Sequence, residues 1–188
     1  MLDIFKKFLG NKSDRDIKGI NPQVVVALEF GKALSEISND ELRAKTLEFR
    51  QRIQDRISAK QQEISELRLN INSDDIPIDA KENLYKELDK LAKDEYDLIQ
   101  EELKSILPEA FGVIKETAFR FVKNESVDVT ATEMDRDLAT RRTSIEIVGD
   151  IARYKTSWIA GGNLIRWDMI HYDTQLIGGV AYSGQDLG

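Results

Sequence analysis

Cysteine is absent from this sequence and histidine nearly so, and each absence narrows the available chemistry. The 188 residues contain no cysteine, which excludes disulfides, thiolate zinc sites and cysteine nucleophiles and fits a reducing compartment. His171 is the single histidine, and no Gly-x-Ser-x-Gly pattern marks a serine nucleophile that it could activate. The acidic residues are spaced as on a solvated helix face rather than as in a metal cluster. We therefore expect neither catalytic residues nor a metal site in this chain.

Proline and aromatic residues are also scarce. The sequence has 3 prolines and 7% aromatic residues, whereas 32% of its residues are charged and 41% are hydrophobic. This composition favours long solvated helices over a sandwich of short strands. The net charge is −7, so there is no surplus of lysine and arginine to neutralise a phosphate backbone. We therefore expect a mainly α protein with a small β insertion (α+β) that does not bind nucleic acid.

The opening segment lacks the long apolar run of a signal peptide or a membrane span, which predicts a cytoplasmic protein. Phe5 and Phe8 recur at helical spacing with Lys6 and Lys7 on their flank, so residues 1–37 predict amphipathic tethering helices. Two interpretations of this pattern stand side by side. The apolar stripe docks on the protein itself, or the stripe and the lysines together attach the chain to a membrane surface or to a partner.

A capping-box pattern marks the start of a long helix. Ser38 is followed three residues later by Glu41, so each side chain is placed to accept a hydrogen bond from the backbone N–H of the other residue. The apolar residues that follow keep helical spacing, are interrupted by the polar stretch 72–77, and then resume. Residues 38–106 therefore predict a long antiparallel helical hairpin, with acidic residues concentrated in its central part.

The rest of the chain predicts a helix, a small β element and another helix. Pro108 suits a first helical turn, so we expect a helix to restart there and to cover residues 107–124. Over residues 125–167, apolar residues alternate with polar ones and glycine-containing turns separate the alternating runs, which predicts a small β insertion. Asp168 has the chemistry of an N-cap, so the apolar segment 168–188 is expected to open with a helix.

Four sequence blocks occur in an order that one protein family shares. The first is Phe-Lys-Lys-Phe-Leu-Gly-Asn-Lys near the start, and the second, residues 34–52, follows the pattern LSxxELRxKTxEFRxR. The third, residues 107–118, is similar to LPEAFAVVREAA, and the fourth, residues 171–179, is similar to RHFDVQLIGG. Together these blocks resemble the SecA family of preprotein translocase motors. Residues 57–104 and 123–166 resemble insertions of the longer members.

The resemblance implies a nucleotide site in the segment 168–188. In the family, a glutamine ahead of the phosphate loop reads the adenine of ATP through its amide donor and acceptor, and Gln175 stands at that position. Tyr172 and Met169 match the family's phenylalanine and methionine, and they would pack against the base. Ile170 and Thr174 stand where the family has arginine and valine, which removes one positive charge near this site.

No Gly-x-x-x-x-Gly-Lys-Ser/Thr phosphate loop occurs in the sequence. The resemblance therefore implies an N-terminal piece that ends before this loop and opens an incomplete RecA-like P-loop motor domain. The parent motor binds ATP with Mg²⁺ and hydrolyses it. The piece alone is expected to bind ATP weakly or not at all, because phosphate-loop amides, lysine and hydroxyl are all missing.

The resemblance also implies partners and a location. These are the SecYEG channel, preproteins and acidic phospholipid, with homodimer formation by the full-length parent and a cytoplasmic location peripheral to the inner face of the plasma membrane. An alternative function does not depend on nucleotide. In that alternative the chain is a self-contained interaction module, whose helical hairpin binds a helix of a partner.

Overall fold

The computed structural model describes residues 22, 24–73 and 76–183. These residues form two compact units. One unit consists of the described residues up to Lys45 together with those from Leu107 onward, and the other consists of Thr46–Ile106. The first unit contains the sheets and the shorter helices, and the second unit is a pair of long helical segments.

Two helices open the described part of the chain. Helix α1 covers residues 24–34, and helix α2 covers Asn39–Ile71. The Ser38 backbone N–H donates to Glu41 Oε2 at 2.7 Å, and the Glu41 backbone N–H donates to Ser38 Oγ at 3.2 Å. The reciprocal bonds satisfy two donors at the helix start that have no partner within the helix. The predicted capping box is therefore confirmed.

Helix α3 covers Ile78–Lys123 in one run, with Pro108 inside it. The expectation of a helix that restarts at Leu107 is therefore not met. A proline removes one N–H from the helix interior, whereas two new helix ends would leave several backbone groups without partners. One missing hydrogen bond is the smaller loss, so the helix continues through the proline.

The Thr46–Ile106 unit is an antiparallel pairing of the longer parts of α2 and α3. Ile57, Ile64 and Ile71 recur every seven residues along α2 and are buried, each no more than 6% exposed. Polar pairs join the two helices at successive levels, with N–O distances from 2.8 to 3.1 Å: Arg52–Glu102, Arg56–Glu101 and Gln61–Glu95. Residues that come later in α2 bond to residues that come earlier in α3, so the two helices run antiparallel, as in the predicted hairpin.

The other unit contains two small antiparallel sheets. The elements are β1 (Ser126–Thr130), α4 (Glu133–Arg141), β2 (Ile145–Val148), β3 (Ile151–Lys155), β4 (Ser157–Ala160) and β5 (Asn163–Arg166). Strand β3 lies between β1 and β2, so that Val129 and Ile147 both stand opposite the fully buried Ala152. Strands β4 and β5 pair with each other. The predicted β insertion is confirmed.

Glycines form the turns of both hairpins. Gly149, with φ of 61°, lies between β2 and β3, and Gly161 and Gly162, with φ of 58° and 81°, connect β4 to β5. Positive φ at both central positions, as at Gly161 and Gly162, or at the first of them alone, as at Gly149, is typical of the two-residue turns that match the twist of paired strands. Residues other than glycine adopt these angles only with strain.

Helix α5 covers Asp173–Ser183. We expected this helix to begin just after Asp168, but residues 167–172 are not helical. The Trp167 indole N–H donates to the Met169 carbonyl at 2.8 Å, and such a side-chain bond competes with a helical one. Met169 therefore precedes the helix instead of lying on it.

Helices predominate, and both sheets are small and antiparallel. The predicted class, mainly α with a small β insertion, is confirmed. Within the described residues, no helix combines the length and the apolar character needed to cross a bilayer.

Candidate functional site

The first turn of α5 is closed by the side chain of Gln175. The Tyr172 backbone N–H donates to Gln175 Oε1 at 2.8 Å, and the Gln175 backbone N–H donates to the Tyr172 carbonyl at 2.9 Å. This is the return half of a capping box. Gln175 is exposed, its Oε1 keeps a second lone pair, and its Nε2 donates to no group in the described part of the chain. An acceptor and a donor therefore stand side by side at the surface.

Other residues of α5 hold the helix in place by packing. Leu176 is 3% exposed and forms a core with Val24 of α1, which is 2% exposed. The partly buried residues around this pair are Leu28, Leu107 and Phe111. One turn further along α5, a Cβ atom on Gly179 would lie 2.7 Å from the Phe111 ring, so α5 approaches α3 too closely for a larger residue.

An open groove of about 410 Å³ lies beside the start of α5. Lys115 of α3 and Asp173 line it and form an ion pair at 2.7 Å. Asp173 lies in the first turn of α5, where the helix dipole favours a negative charge. The Nδ1 atom of His171 is buried and has no hydrogen-bond partner among the described residues. The other lining residues are Ile170, Tyr172 and Thr174.

A buried carboxylate joins three elements of the same unit. Asp135 of α4 is fully buried, and its two oxygens accept hydrogen bonds from both terminal nitrogens of Arg43 at 2.8 and 2.9 Å. The Thr132 hydroxyl and backbone N–H donate to the same carboxylate at 2.7 and 2.8 Å, and the Tyr154 hydroxyl donates to it as well. One ionised group therefore ties α2, α4 and β3 together.

The protonation states of this network are fixed over the physiological range. Burial opposes ionisation of Asp135, but hydrogen bonds from Arg43, Tyr154 and Thr132 outweigh burial and hold the pKa of that carboxyl well below its usual range. Burial, followed by the hydrogen bond and the charge of Asp135, raises the pKa of Tyr154 to about 12. The hydrogen bond to Asp135 is the main cause that raises the pKa of Arg43. These groups therefore act as a structural ion pair and not as an acid–base pair.

A second arginine joins the helices that support α5. Arg120 of α3 donates to the carbonyls of Leu34 and Ile37 and to Asn39 Oδ1, each at 2.8 Å. Its Nε donates to Glu116 Oε1, also at 2.8 Å. A cation at the C-terminal end of α1 satisfies carbonyls that have no helical partner. Arg120 thereby positions α1, which supplies the packing partner of α5.

Comparison of the sequence with known protein families identifies the family of this chain. The sequence model of the SecA DEAD-like domain matches residues 5–187. The chain belongs to the SecA family. The membership that the four sequence blocks predicted is confirmed.

Curated SecA proteins match almost the whole chain but extend well beyond the match. The protein translocase subunit SecA of Flavobacterium psychrophilum is 46% identical over 178 residues, which are 95% of this chain and 16% of that protein. The subunits of Porphyromonas gingivalis and Parabacteroides distasonis are 44% and 46% identical over 94% and 95% of this chain, again with 16% of each relative covered. No solved structure matches significantly. The chain thus spans 16% of the length of these SecA relatives.

The residues predicted to contact adenine in this SecA-family chain are accessible to solvent, but only two of them contact each other. Tyr172 is 74% exposed and is hydrogen-bonded to the exposed Gln175. Met169 is 46% exposed, precedes α5 and does not line the groove beside it. The predicted attachment residues lie outside the described part of the chain: Phe5, Lys6, Lys7 and Phe8. Among the described residues, no group of three or more histidine or acidic side chains is placed to hold a metal ion.

Sequence reasoning missed the residues that hold this unit together. Thr132 and Asp135 have capping-box spacing, and that signal was sufficient to locate the start of α4. Arg43 lies within the ELRxKT part of the SecA pattern, but no spacing pairs it with a carboxylate 92 positions later. Glu116 and Arg120 have the i,i+4 spacing of a helix ion pair, but no local signal pairs Arg120 with its three acceptors in the distant segment 34–39.

Proposed function

We propose that this chain forms the adenine-contacting segment of an ATP-driven protein translocase subunit of the SecA family. The name of the relatives, protein translocase subunit SecA, describes proteins of which this chain spans 16%. The observation that supports the proposal is the exposed amide of Gln175 at the start of α5. Its Nε2 would donate to a ring nitrogen of adenine, and its Oε1 would accept from the amino group of the base.

The contact between Gln175 and Tyr172 favours this function because it orients the amide before a ligand arrives. A side chain that is already ordered loses less conformational entropy on binding than a free one. Tyr172, 74% exposed beside it, offers an aromatic face for the base, and Met169 offers a second apolar surface. The three residues together would distinguish adenine by its edge and hold it by its faces.

The phosphates and Mg²⁺ require groups beyond this segment. The sequence contains no Gly-x-x-x-x-Gly-Lys-Ser/Thr stretch, so no described or undescribed residue supplies a phosphate loop. In the proposed function another part of the translocase subunit holds the triphosphate and its metal ion, and this chain supplies base recognition. The 188 residues alone would then be inactive as an ATPase.

A chimera tests the role of Gln175. Residues 5–187 would replace the matched segment of the Flavobacterium psychrophilum subunit, and the affinities for ATP and GTP would be measured by calorimetry. Gln175→Ala is expected to weaken ATP binding about tenfold, because two hydrogen bonds contribute about 0.5–1.5 kcal/mol each. GTP binding should not change, since its base presents a different edge.

Two further variants separate base recognition from helix capping. Gln175→Glu keeps the acceptor that caps α5 and loses the amide donor, so it should weaken ATP binding as much as Gln175→Ala. Gln62→Ala removes an exposed glutamine of α2, bonded to Glu66 at 2.8 Å, and should leave the affinity for ATP unchanged. Equal losses for ATP and GTP, or no loss in either Gln175 variant, would contradict the proposal.

We also propose that the basic amphipathic segment attaches the subunit to acidic phospholipid at the inner face of the membrane, near the SecYEG channel through which preproteins pass. The support is the spacing of Phe5 and Phe8 with Lys6 and Lys7 beside them. Co-sedimentation of the chain with anionic vesicles should fall in the variant Lys6→Glu/Lys7→Glu. Binding should persist in Lys86→Glu/Lys90→Glu, which has the same net charge. Equal binding by all three proteins would exclude this attachment.

A further inference from the structure

The segment between β5 and α5 has the sequence of an additional helical turn that the structure does not form. Asp168 has the chemistry of an N-cap, and residues 169–172 contain neither proline nor glycine. Helical bonds run four residues back along the chain. In a helix that began after Asp168, the Tyr172 N–H would therefore donate to the Asp168 carbonyl, and the Asp173 N–H would donate to the Met169 carbonyl. Helix α5 instead begins at Asp173.

Two side chains occupy the backbone groups that the longer helix needs. The Trp167 indole N–H donates to the Met169 carbonyl at 2.8 Å. The Tyr172 backbone N–H donates to Gln175 Oε1, also at 2.8 Å. Each of these bonds competes with one bond of the longer helix. The non-helical conformation is therefore held by one side chain at each end of the segment.

Trp167 is itself held by α3 and by the β insertion. Its backbone N–H donates to the Thr156 carbonyl at 2.8 Å, and its ring meets the Phe121 ring edge-on with the centroids 5.8 Å apart. Thr156 is 1% exposed, and its hydroxyl and backbone N–H donate to the carbonyls of Asn124 and Glu125 at 2.8 and 3.0 Å. None of these contacts uses the indole N–H, so an aromatic ring without that N–H keeps the same anchor.

We propose that Trp167 is a positioning residue for the adenine contact, and that it acts by preventing α5 from starting after Asp168. In the longer helix the Tyr172 N–H would bond to the Asp168 carbonyl, and the amide of Gln175 would lose the contact that orients it. Met169 would move onto the helix at the same time. Ordering these side chains again on binding costs conformational entropy, so the longer helix binds ATP less tightly. This effect on ATP rests on the proposed function, whereas the effect on the helix start does not.

The β insertion is thereby connected to the adenine segment. Trp167 directly follows β5, and Thr156, to which it is bonded, lies between β3 and β4. A change at the base of the β4–β5 hairpin would therefore reach Met169 through a single side chain.

Backbone Cα chemical shifts of residues 169–172, measured by NMR on the full 188-residue chain, report whether the segment is helical. Trp167→Phe keeps a ring against Phe121 and removes the indole N–H, so these shifts should move toward helical values. Trp167→Phe/Asp168→Ala should show the shifts of the unaltered chain, because the longer helix loses its N-cap. Trp158→Phe makes the same substitution at the other tryptophan of the chain, in β4, and should change none of these shifts.

The other end of the segment gives a second pair of variants. Gln175→Ala frees the Tyr172 N–H and should move the same shifts in the helical direction. Gln175→Glu keeps an acceptor for that N–H and should leave the shifts unchanged. Unchanged shifts in Trp167→Phe would overturn the proposal. If Trp167→Phe did not fold, unchanged shifts in Gln175→Ala would overturn it instead, since Gln175 is exposed and its replacement leaves the core intact.

The affinity of the chimera for ATP separates the role of Trp167 from the proposed function. Trp167→Phe should weaken ATP binding about two- to tenfold, the value of one hydrogen bond, and Asp168→Ala in the same protein should restore it. GTP binding should not change, whereas general loss of structure would weaken both nucleotides and would not be rescued by removing an N-cap. Weaker ATP binding in Gln175→Ala but not in Trp167→Phe would overturn the positioning role alone. Unchanged ATP binding in Gln175→Ala, together with helical shifts in Trp167→Phe, would exclude the adenine contact and still support control of the helix start by Trp167.

Discussion

Arg43 and Asp135 are 92 positions apart in the sequence and in direct contact in the structure. The carboxylate is fully buried and receives donors from Arg43, Thr132 and Tyr154. Loss of the charge would leave a guanidinium without its main partner. It would also leave three further donors, the Thr132 hydroxyl and backbone N–H and the Tyr154 hydroxyl, with a weaker acceptor. At the scale of single residues, this pair is therefore the most sensitive point that the structure identifies.

Asp135→Asn should lower the free energy of unfolding by about 2–4 kcal/mol, the cost of removing one partner of a largely buried ion pair whose arginine keeps some contact with water. Urea titration measures this change. Asp137→Asn is the matched control on the same helix: Asp137 pairs with Arg141 at 2.9 Å in an exposed ion pair, and its loss should cost less than about 0.5 kcal/mol. Equal effects of the two substitutions would contradict this account.

Asp135→Asn should also change how the free energy of unfolding depends on pH. The pKa of Asp135 is lower in the folded chain than in the unfolded one, so its contribution is complete above the unfolded pKa of about 3.9 and is lost as pH falls through the folded value. Below about pH 4 the unaltered chain should therefore lose stability more steeply than Asp135→Asn. Parallel curves over that range would show that the carboxylate is not held as described.

At the scale of elements, two neighbouring glycines of α5 stand in different surroundings. A Cβ on Gly179 would meet the Phe111 ring at 2.7 Å, whereas a Cβ on Gly178 meets nothing within 4 Å. Both substitutions to alanine gain helix propensity, but only the first displaces a ring from the core around Leu176.

Gly179→Ala should therefore destabilise the chain by about 1 kcal/mol net, and Gly178→Ala should stabilise it by about 0.5–1 kcal/mol. Thermal unfolding followed by circular dichroism at 222 nm, the wavelength at which helix is measured, compares the two variants. Stabilisation by both alanines would show that α5 does not pack against Phe111.

At the scale of the whole molecule, the central question is whether these 188 residues respond to nucleotide by themselves. The missing phosphate-loop pattern predicts no ATP turnover and no shift of the melting temperature with ATP and Mg²⁺. A coupled assay for ADP release and a thermal melt measure both. The chimera described above should bind ATP under the same conditions, whereas a self-contained interaction module predicts no contribution of Gln175 there. Turnover by the chain alone would contradict the proposed division of labour.

The sequence by itself determined the elements that depend on interactions between residues close together in the chain. The Ser38–Glu41 capping box, the glycine turns and the seven-residue recurrence of Ile57, Ile64 and Ile71 are all short-range patterns, and the structure has each of them. The family could also be read from the sequence, because its blocks keep their order along the chain. The function of Gln175 stays a prediction at this level.

The continuity of α3 and the start of α5 were not recognised from the sequence, and only the tertiary structure decided which residues join the elements. Helix α3 continues through Pro108 because breaking it would leave more backbone groups unpaired, and α5 starts at Asp173 because Trp167 and Gln175 bond to the backbone before it. Arg43 and Asp135 find each other, and Arg120 finds its acceptors in segment 34–39, only when the chain folds. Helix and turn signals act over a few residues, whereas burial and ion pairing depend on distances that exist only once the chain has folded.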